Sequence, residues 1–144
     1  MKTFLKGLLP LLIISMVFVA CSKDEDTEAP VIVVTSPQDH AEINAGGHFH
    51  VRANFTDNEE LASWKIDIHD NFDGHSHKVS HKGWSFVETG DLSGTSDNID
   101  IRVDVPEDAH HGDYHLLVFA LDAAGNESFV ELDIHIEDDH HDHD

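Results

Sequence analysis

The sequence predicts one all-β domain, a sandwich of seven strands, and two observations carry this prediction. From residue 30 onward, short runs alternate between apolar and polar residues, and turn-forming residues separate the runs. After residue 20, no stretch shows the 3.6-residue apolar period of an amphipathic helix. We therefore predict strands over residues 31–36, 48–56, 62–69, 83–89, 98–105, 114–121 and 128–137.

Each strand has its own signal in the sequence. The first is a β-branched run that ends at Pro37, which cannot donate a ladder hydrogen bond. The fourth, near residues 83–89, is predicted from its aromatic and β-branched residues, and the fifth alternates up to Pro106. In the second, third, sixth and seventh strands the alternation assigns an inward face, made of Phe49, Val51, Ala53, Phe55, Trp64, Ile66, Ile68, Tyr114, Leu116, Val118, Val130, Leu132, Ile134 and Ile136.

The segment from Gly112 to Asn126 resembles the F strand and F–G turn of bacterial immunoglobulin-like domains. Tyr114 falls at the position of the tyrosine corner in such sandwiches, and Trp64 suits their buried tryptophan. This resemblance covers about residues 29–136 and implies a seven-stranded immunoglobulin-like β-sandwich. A fold of this kind carries no function by itself. Within this group, the chain resembles the uncharacterised families of His-rich secreted lipoproteins.

The first 20 residues have the layout of a secretory signal, with Lys2 and Lys6 before an apolar run that is short for a membrane-spanning helix. The stretch from Phe18 to Ser22 resembles a bacterial lipoprotein signal, which implies that Cys21 is lipidated and becomes the mature N-terminus. Ser22 resembles an outer-membrane sorting residue, and the acidic run that follows resembles a surface-export tag. We predict a signal peptide (1–20), a lipidated cysteine with an acidic tether (21–29), the sandwich (30–137) and a His/Asp-rich tail (138–144).

Charge and composition narrow the function further. Without the signal, six basic residues face 29 acidic ones, a net charge of −23 with neutral histidines, which disfavours nucleic acid and attracts cations. Cys21 is the only cysteine and both methionines lie in the signal, so disulfides and soft copper(I)-type sites are excluded. Imidazole and carboxylate groups are left as metal ligands.

The chain contains fourteen histidines, and the first is His40. Histidine is the commonest side-chain ligand of transition metals in proteins. In the predicted sandwich, the connections after the first, third and fifth strands meet at one pole, and the seventh strand ends there. All fourteen histidines are therefore predicted at or near this pole.

The third, sixth and seventh strands are predicted to be neighbours, which brings His69, His115 and His135 to one outward face. Cross-strand histidines of this kind can share one ion. The loop after the third strand is dense in further ligands, and its Gly74 permits a tight turn. The candidate metal ligands are His69, His75, His77, His81, His115, His135, Asp67 and Asp73, followed by His48, His50, His110, His111, His140, His141 and His143.

Imidazole–carboxylate sites suit zinc, copper(II) and nickel(II), and availability favours zinc. The sequence predicts a lipoprotein of the outer membrane, lipid-anchored and surface-exposed, that captures, buffers or hands on metal, with an outer-membrane uptake receptor as a candidate partner.

Other functions stay open at this point. One is an adhesion or interaction module with calcium or no metal, in which Asp57, Asn58, Glu59, Asp122 and Asn126 resemble the oxygen-rich loops of calcium-binding bacterial modules. Turn geometry explains the same residues without an ion. Another is a pH sensor, because protonating all the histidines would bring the net charge toward −9. We expect no enzyme, since no phosphate loop, nucleophile elbow or zinc-protease motif is present, although a zinc site with an open position could hydrolyse a substrate.

Overall fold

The structure is a computed structural model that describes residues 25–71 and 83–137. These residues form eight strands: β1 (Val31–Ser36), β2 (Ala41–Asn44), β3 (His48–Thr56), β4 (Leu61–Asp70), β5 (Phe86–Asp91), β6 (Ser96–Asp104), β7 (Gly112–Asp122) and β8 (Glu127–Glu137). The predicted signal peptide, Cys21 and the C-terminal tail lie outside the described residues. Within those residues, no helix is long and apolar enough to span a membrane.

The strands form two sheets that pack as a sandwich. One sheet has the order β1-β3-β6, and the other has the order β2-β8-β7-β4-β5. Strand β2 runs parallel to β8, and the other pairs are antiparallel. The third, sixth and seventh predicted strands correspond to β4, β7 and β8. These three strands are adjacent in the larger sheet, so the prediction that they are neighbours is confirmed.

The prediction of seven strands is wrong by one, because β2 was not predicted. This strand has only four residues, and its alternation rests on two apolar positions, Ala41 and Ile43, which are too few to stand out in the sequence. Strand β2 is defined instead by its pairing with β8, in which Ala41 lies opposite Ile134 and Asn44 lies opposite Glu137. The fourth predicted strand is shifted, since β5 begins at Phe86 and pairs with β4.

The predicted inward faces form the core. The side chains of Val51, Ile66, Leu116 and Ile136 have no exposed surface, and the other predicted inward residues are buried or half-buried around them. The buried apolar residues all lie between Ile43 and Ile136. A chain that begins at Ser22 therefore contains the whole described core.

The tyrosine corner implied by the immunoglobulin-like resemblance is present. The hydroxyl group of Tyr114 donates a hydrogen bond of 2.8 Å to the backbone oxygen of His110, four residues upstream. The Tyr114 side chain is fully buried, and its ring lies 5.9 Å from the ring of Trp84. Burial raises the pKa of the Tyr114 hydroxyl, so this group stays protonated and donates. The corner thereby fixes the approach to β7, the strand that carries His115.

Removing the hydroxyl group in Tyr114→Phe should lower the free energy of unfolding by about 1 to 2 kcal/mol, because the part-buried hydrogen bond from this hydroxyl to the backbone of His110 is lost. Urea denaturation followed by tryptophan fluorescence measures this loss. A variant as stable as the parent would show that the hydrogen bond adds nothing to the fold.

Candidate functional site

Two histidines face each other across the outer surface of the larger sheet. His69, near the end of β4, and His115, near the start of β7, are directly opposed in the antiparallel register. Their rings stack 5.7 Å apart, centroid to centroid, with planes inclined by 2°. Both side chains reach solvent, His69 with 49% of its surface exposed and His115 with 23%. The pair arises because inward Ile68 and Leu116 alternate with these outward residues.

Each ring of this pair has a carboxylate on Nδ1. Nδ1 of His69 lies 3.2 Å from Oδ1 of Asp67, and Nδ1 of His115 lies 3.1 Å from Oε1 of Glu131. An ionised carboxylate only accepts hydrogen bonds, so in the neutral form of His69 Nδ1 carries the proton and Nε2 carries the lone pair. The carboxylate of Glu131 beside His115 favours the same arrangement there. Histidines that bind metals through one nitrogen commonly donate the other to a carboxylate in this way.

His135, on the neighbouring strand β8, also has a carboxylate beside its Nδ1. Its Nδ1 lies 2.7 Å from Oδ1 of Asp113, its direct partner on β7. The residue opposite His115 on β8 is Asp133, so His135 is a diagonal neighbour of His115. Diagonal Cβ atoms lie about 7–8 Å apart, which is longer than the distance within a directly opposed pair.

The turn between β1 and β2 brings a fourth histidine to this surface. His40 donates its backbone N–H to the oxygen of Asp133, and Asp39 accepts the N–H of Asp133, so both backbone groups of Asp133 hold the turn. His40 has a positive φ of 60°, which is uncommon outside glycine and turns its side chain back toward Asp39. One ligand atom from each of Asp39, His40 and Asp133 lies within 4.8 Å of the others.

Neighbouring positions across the sheet thus form a line of possible ligands, which we call the histidine row: His69, His115, Asp133 and His40. Within the described residues, His69, His115 and His135 do not form a three-ligand group as tight as that of Asp39, His40 and Asp133. The row therefore offers one stacked imidazole pair and, beside it, one compact imidazole–carboxylate group.

The electrostatics of this face favour a cation. Carboxylates of Asp39, Asp67, Asp113, Glu131 and Asp133 surround the row. Within the described part of the chain the basic side chains are Lys65, Arg52 and Arg102, and of these only Lys65 lies on this face. Lys65 pairs with Asp67 at 3.5 Å and lies over the ring of Phe119, toward the opposite pole.

His48 and His50 belong to the same pole but to the other outer face of the sandwich. They lie on β3 with their rings 6.4 Å apart. His50 and Arg52 contact Asp100, and Arg102 contacts Asp104. These hydrogen bonds, from Arg52 and His50 to Asp100 and from Arg102 to Asp104, lower the pKa of both carboxyl groups. Because β3 belongs to the other sheet, the fold does not bring His48 and His50 to the histidine row, and the carboxylates nearest to them already pair with Arg52 and Arg102.

The remaining predicted ligands divide into two sets. His110 and His111 stack on each other at 5.0 Å in the connection before β7. The others, Asp73, His75, His77, His81, His140, His141 and His143, lie outside the described residues.

At the opposite pole the structure brings together the acidic residues of the β3–β4 and β7–β8 turns. Asp122 is 2% exposed, and its Oδ1 accepts the N–H groups of Gly125 and Asn126 while its Oδ2 accepts the side-chain amide of Asn126. Asp57 accepts the N–H groups of Glu59 and Glu60 with Oδ2. Most of these hydrogen bonds cap the two turns, which agrees with the alternative that turn geometry explains these acidic residues without an ion.

Two opposing effects set the ionisation of Asp122. Burial would raise the pKa of its carboxyl group, but hydrogen bonds from the Asn126 side chain and from the backbone of Asn126, Gly125 and Ala124 outweigh burial and lower the pKa. Asp122 is therefore charged at neutral pH. The stability that it contributes is present above the ordinary carboxyl pKa and is lost as the pH falls through the lowered value.

Sequence reasoning missed the carboxylates that hold the rings, namely Asp113 and Glu131, together with Asp39 and Asp133. Acidic residues are too frequent in this chain for any one of them to stand out. Their outward positions on β7 and β8 follow from the alternation, but the residues that they oppose follow only from the register. His40 was assigned to the correct pole, whereas its contact with Asp133 depends on the unpredicted strand β2.

Solved structures share this fold at low identity. OgpA from Akkermansia muciniphila, solved with an O-glycopeptide substrate in a catalytically inactive form, is 16% identical with a TM-score of 0.52, over 81% of this chain and 32% of that one. A DUF4466 family protein from Parabacteroides merdae is 12% identical with a TM-score of 0.50, over 72% of this chain and 42% of that one. This chain thus spans about a third of OgpA, and the likeness concerns the fold alone.

No curated protein matches the chain. The match to a family extends over residues 19–137, which include every strand of the sandwich and every residue of the histidine row. The chain therefore belongs to the family described as a domain of unknown function, DUF4625.

Proposed function

We propose that this protein is a lipid-anchored, transition-metal-binding lipoprotein of the outer membrane, with zinc as its metal, that captures, buffers or hands on the ion at the histidine row. The observation that carries the proposal is the directly opposed pair of His69 and His115, with a carboxylate beside Nδ1 of each ring. This arrangement leaves Nε2 of both rings as metal-binding nitrogens on an exposed surface. Asp133 and His40 continue the ligand line beside the pair.

The ligand chemistry favours zinc over calcium at this pole. Zinc takes imidazole nitrogens at about 2.0–2.1 Å together with carboxylate oxygens, whereas calcium takes oxygen alone. Copper(II) and nickel(II) accept the same ligands, so the cell's supply selects among the three metals. Solvent reaches His69, which suits a site that must load and release an ion rather than one that holds it permanently.

The position of the row also suits transfer of metal. The described chain starts at residue 25 beside the β7–β8 turn, and the row lies at the opposite ends of β4 and β7. An anchor at Cys21 would therefore leave the row facing away from the membrane, toward metal in the medium or an uptake receptor.

Calorimetric titration of the chain from Ser22 to Asp144 with zinc chloride tests the proposal. We expect binding well below millimolar at pH 7.5, weakening markedly by pH 5.5 because protons compete for the imidazole nitrogens. Binding no tighter than millimolar would overturn it, and so would affinity that does not change with pH.

A further inference from the structure

We propose that Asp26, Asp57 and Asp122 bind a calcium ion at the pole opposite the histidine row, and that this ion fastens the N-terminal tether to the sandwich. The proposal goes beyond metal capture, because it assigns a second site of different chemistry and a structural role. It rests on an unsatisfied oxygen, on the spacing of three carboxylates and on the path of the tether.

The first observation is a buried oxygen without a partner. Oδ1 of Asp57 is almost fully buried and accepts no hydrogen bond from the residues that the structure describes, although Oδ2 of the same group accepts two. A buried carboxylate oxygen that is left unsatisfied is costly, and native structures contain few such groups. An ion bound at this oxygen removes the cost.

The second observation is the spacing. One carboxylate oxygen from each of Asp26, Asp57 and Asp122 lies within 4.8 Å of the other two. Calcium binds oxygen at 2.3–2.6 Å, so two ligands of one calcium ion lie at most about 5 Å apart. Three negative groups this close repel one another unless a cation lies between them. Oδ1 of Asp122 accepts two N–H groups, but Oδ2 accepts only the Asn126 amide and keeps a second lone pair for the ion.

The third observation is that one of the three ligands belongs to the tether. Asp26 accepts the side-chain amide of Asn58 with Oδ1, and its backbone oxygen accepts the amide of Asn126. The backbone oxygen of Pro30 accepts the hydroxyl of Ser128. Residues 26–30 thus follow the β7–β8 turn, and an ion held by Asp26 would join this segment to both turns. A calcium-loaded protein would present the histidine row at a fixed angle to its anchor.

The choice of calcium follows from the ligands, which are hard oxygens with no imidazole among them. Extracellular calcium modules bind with dissociation constants of about 10⁻⁴–10⁻³ M, so about 5 mM calcium chloride should load the site. In the chain from Ser22, we expect the melting temperature to rise by a few degrees in calcium and by less in equal magnesium. Amide hydrogen exchange over residues 25–30 should slow at least about 3-fold in calcium.

Asp57→Asn removes one negative charge from the proposed calcium site, and it opens no cavity because the two side chains have nearly the same shape. The new amide can donate to the neighbouring carboxylates, so without metal this variant should melt no lower than the parent, while the calcium shift and the slowed exchange should disappear. The matched control is Asp97→Asn, which alters another turn-capping carboxylate that hydrogen-bonds Ser93 and Asn98 but lies outside the cluster. This control should keep the full response to calcium.

Three results would overturn the inference: no calcium shift in the parent, an equal shift in Asp57→Asn, or a shift without slower exchange over residues 25–30. If Asp57→Asn does not fold, Asp26→Asn replaces it, because Asp26 lies outside the core and its loss should abolish the same two responses. Zinc affinity should be unchanged in all these variants, so failure here and failure of the metal-capture proposal are separate results.

Discussion

Replacing both His69 and His115 with alanine should weaken the tightest zinc-binding event by at least about 100-fold. The loss is large because the two rings supply neighbouring ligands: they are directly opposed in register, and each lies beside a carboxylate. Removing one ring leaves the other with a single nitrogen for the ion, and removing both leaves only Asp133 and His40 of the row. Calorimetric titration of parent and variant at the same pH measures the change.

The fold supplies a matched control for this experiment. His48 and His50 form a second pair of neighbouring rings at the same pole, but on the other outer face and beside Arg52 and Arg102. Alanine at both positions removes the same number of histidines, and we expect zinc affinity to stay within about 3-fold of the parent, because neither ring belongs to the histidine row and the neighbouring carboxylates are already paired with the two arginines. Equal losses in the two double variants would mean that zinc responds to histidine content rather than to the histidine row.

This contrast shows what could be predicted from the sequence. The alternation of Ile66, Ile68, Leu116 and Val118 sets which side chains face inward, and with the strand order it places His69 beside His115. The same alternation places His48 and His50 outward. The alternation does not indicate whether His48 and His50 lie on the same outer face as His69 and His115, because that depends on how the strands divide between the two sheets.

The rest of the site depends on registers and turns that leave no local signal. Strand β2 alternates over only four residues, too few for a clear signal, yet it fixes the turn that carries Asp39 and His40 against Asp133. At the other pole, the acidic turn residues are visible in the sequence, but the sequence does not indicate that Asp26 lies beside them. Only the folded chain shows that a tether residue joins them and that, among residues 25–71 and 83–137, one oxygen of Asp57 has no partner.

Replacing Ile68 with alanine should lower the free energy of unfolding by about 2–5 kcal/mol, the usual range for a large-to-small change in a packed core. Ile68 has no exposed surface and lies in register between Leu116 on β7 and Phe86 on β5. It also adjoins His69 in sequence while facing the opposite way. The cavity therefore opens directly beneath the stacked pair. Urea denaturation in the presence of a chelator measures the loss.

The comparison that gives this result its meaning is Val87→Ala. Val87 is 60% exposed on β5, in register with Asp67, so its truncation opens no cavity and should cost less than about 1 kcal/mol. Zinc at 100 times its dissociation constant should return about 2.7 kcal/mol to the Ile68 variant if its remaining folded molecules bind as the parent does. Full recovery of that increment would show that zinc binding does not depend on the packing of Ile68, because His69 would still lie opposite His115 in the register. No recovery would mean that the pair needs the intact core to hold its geometry.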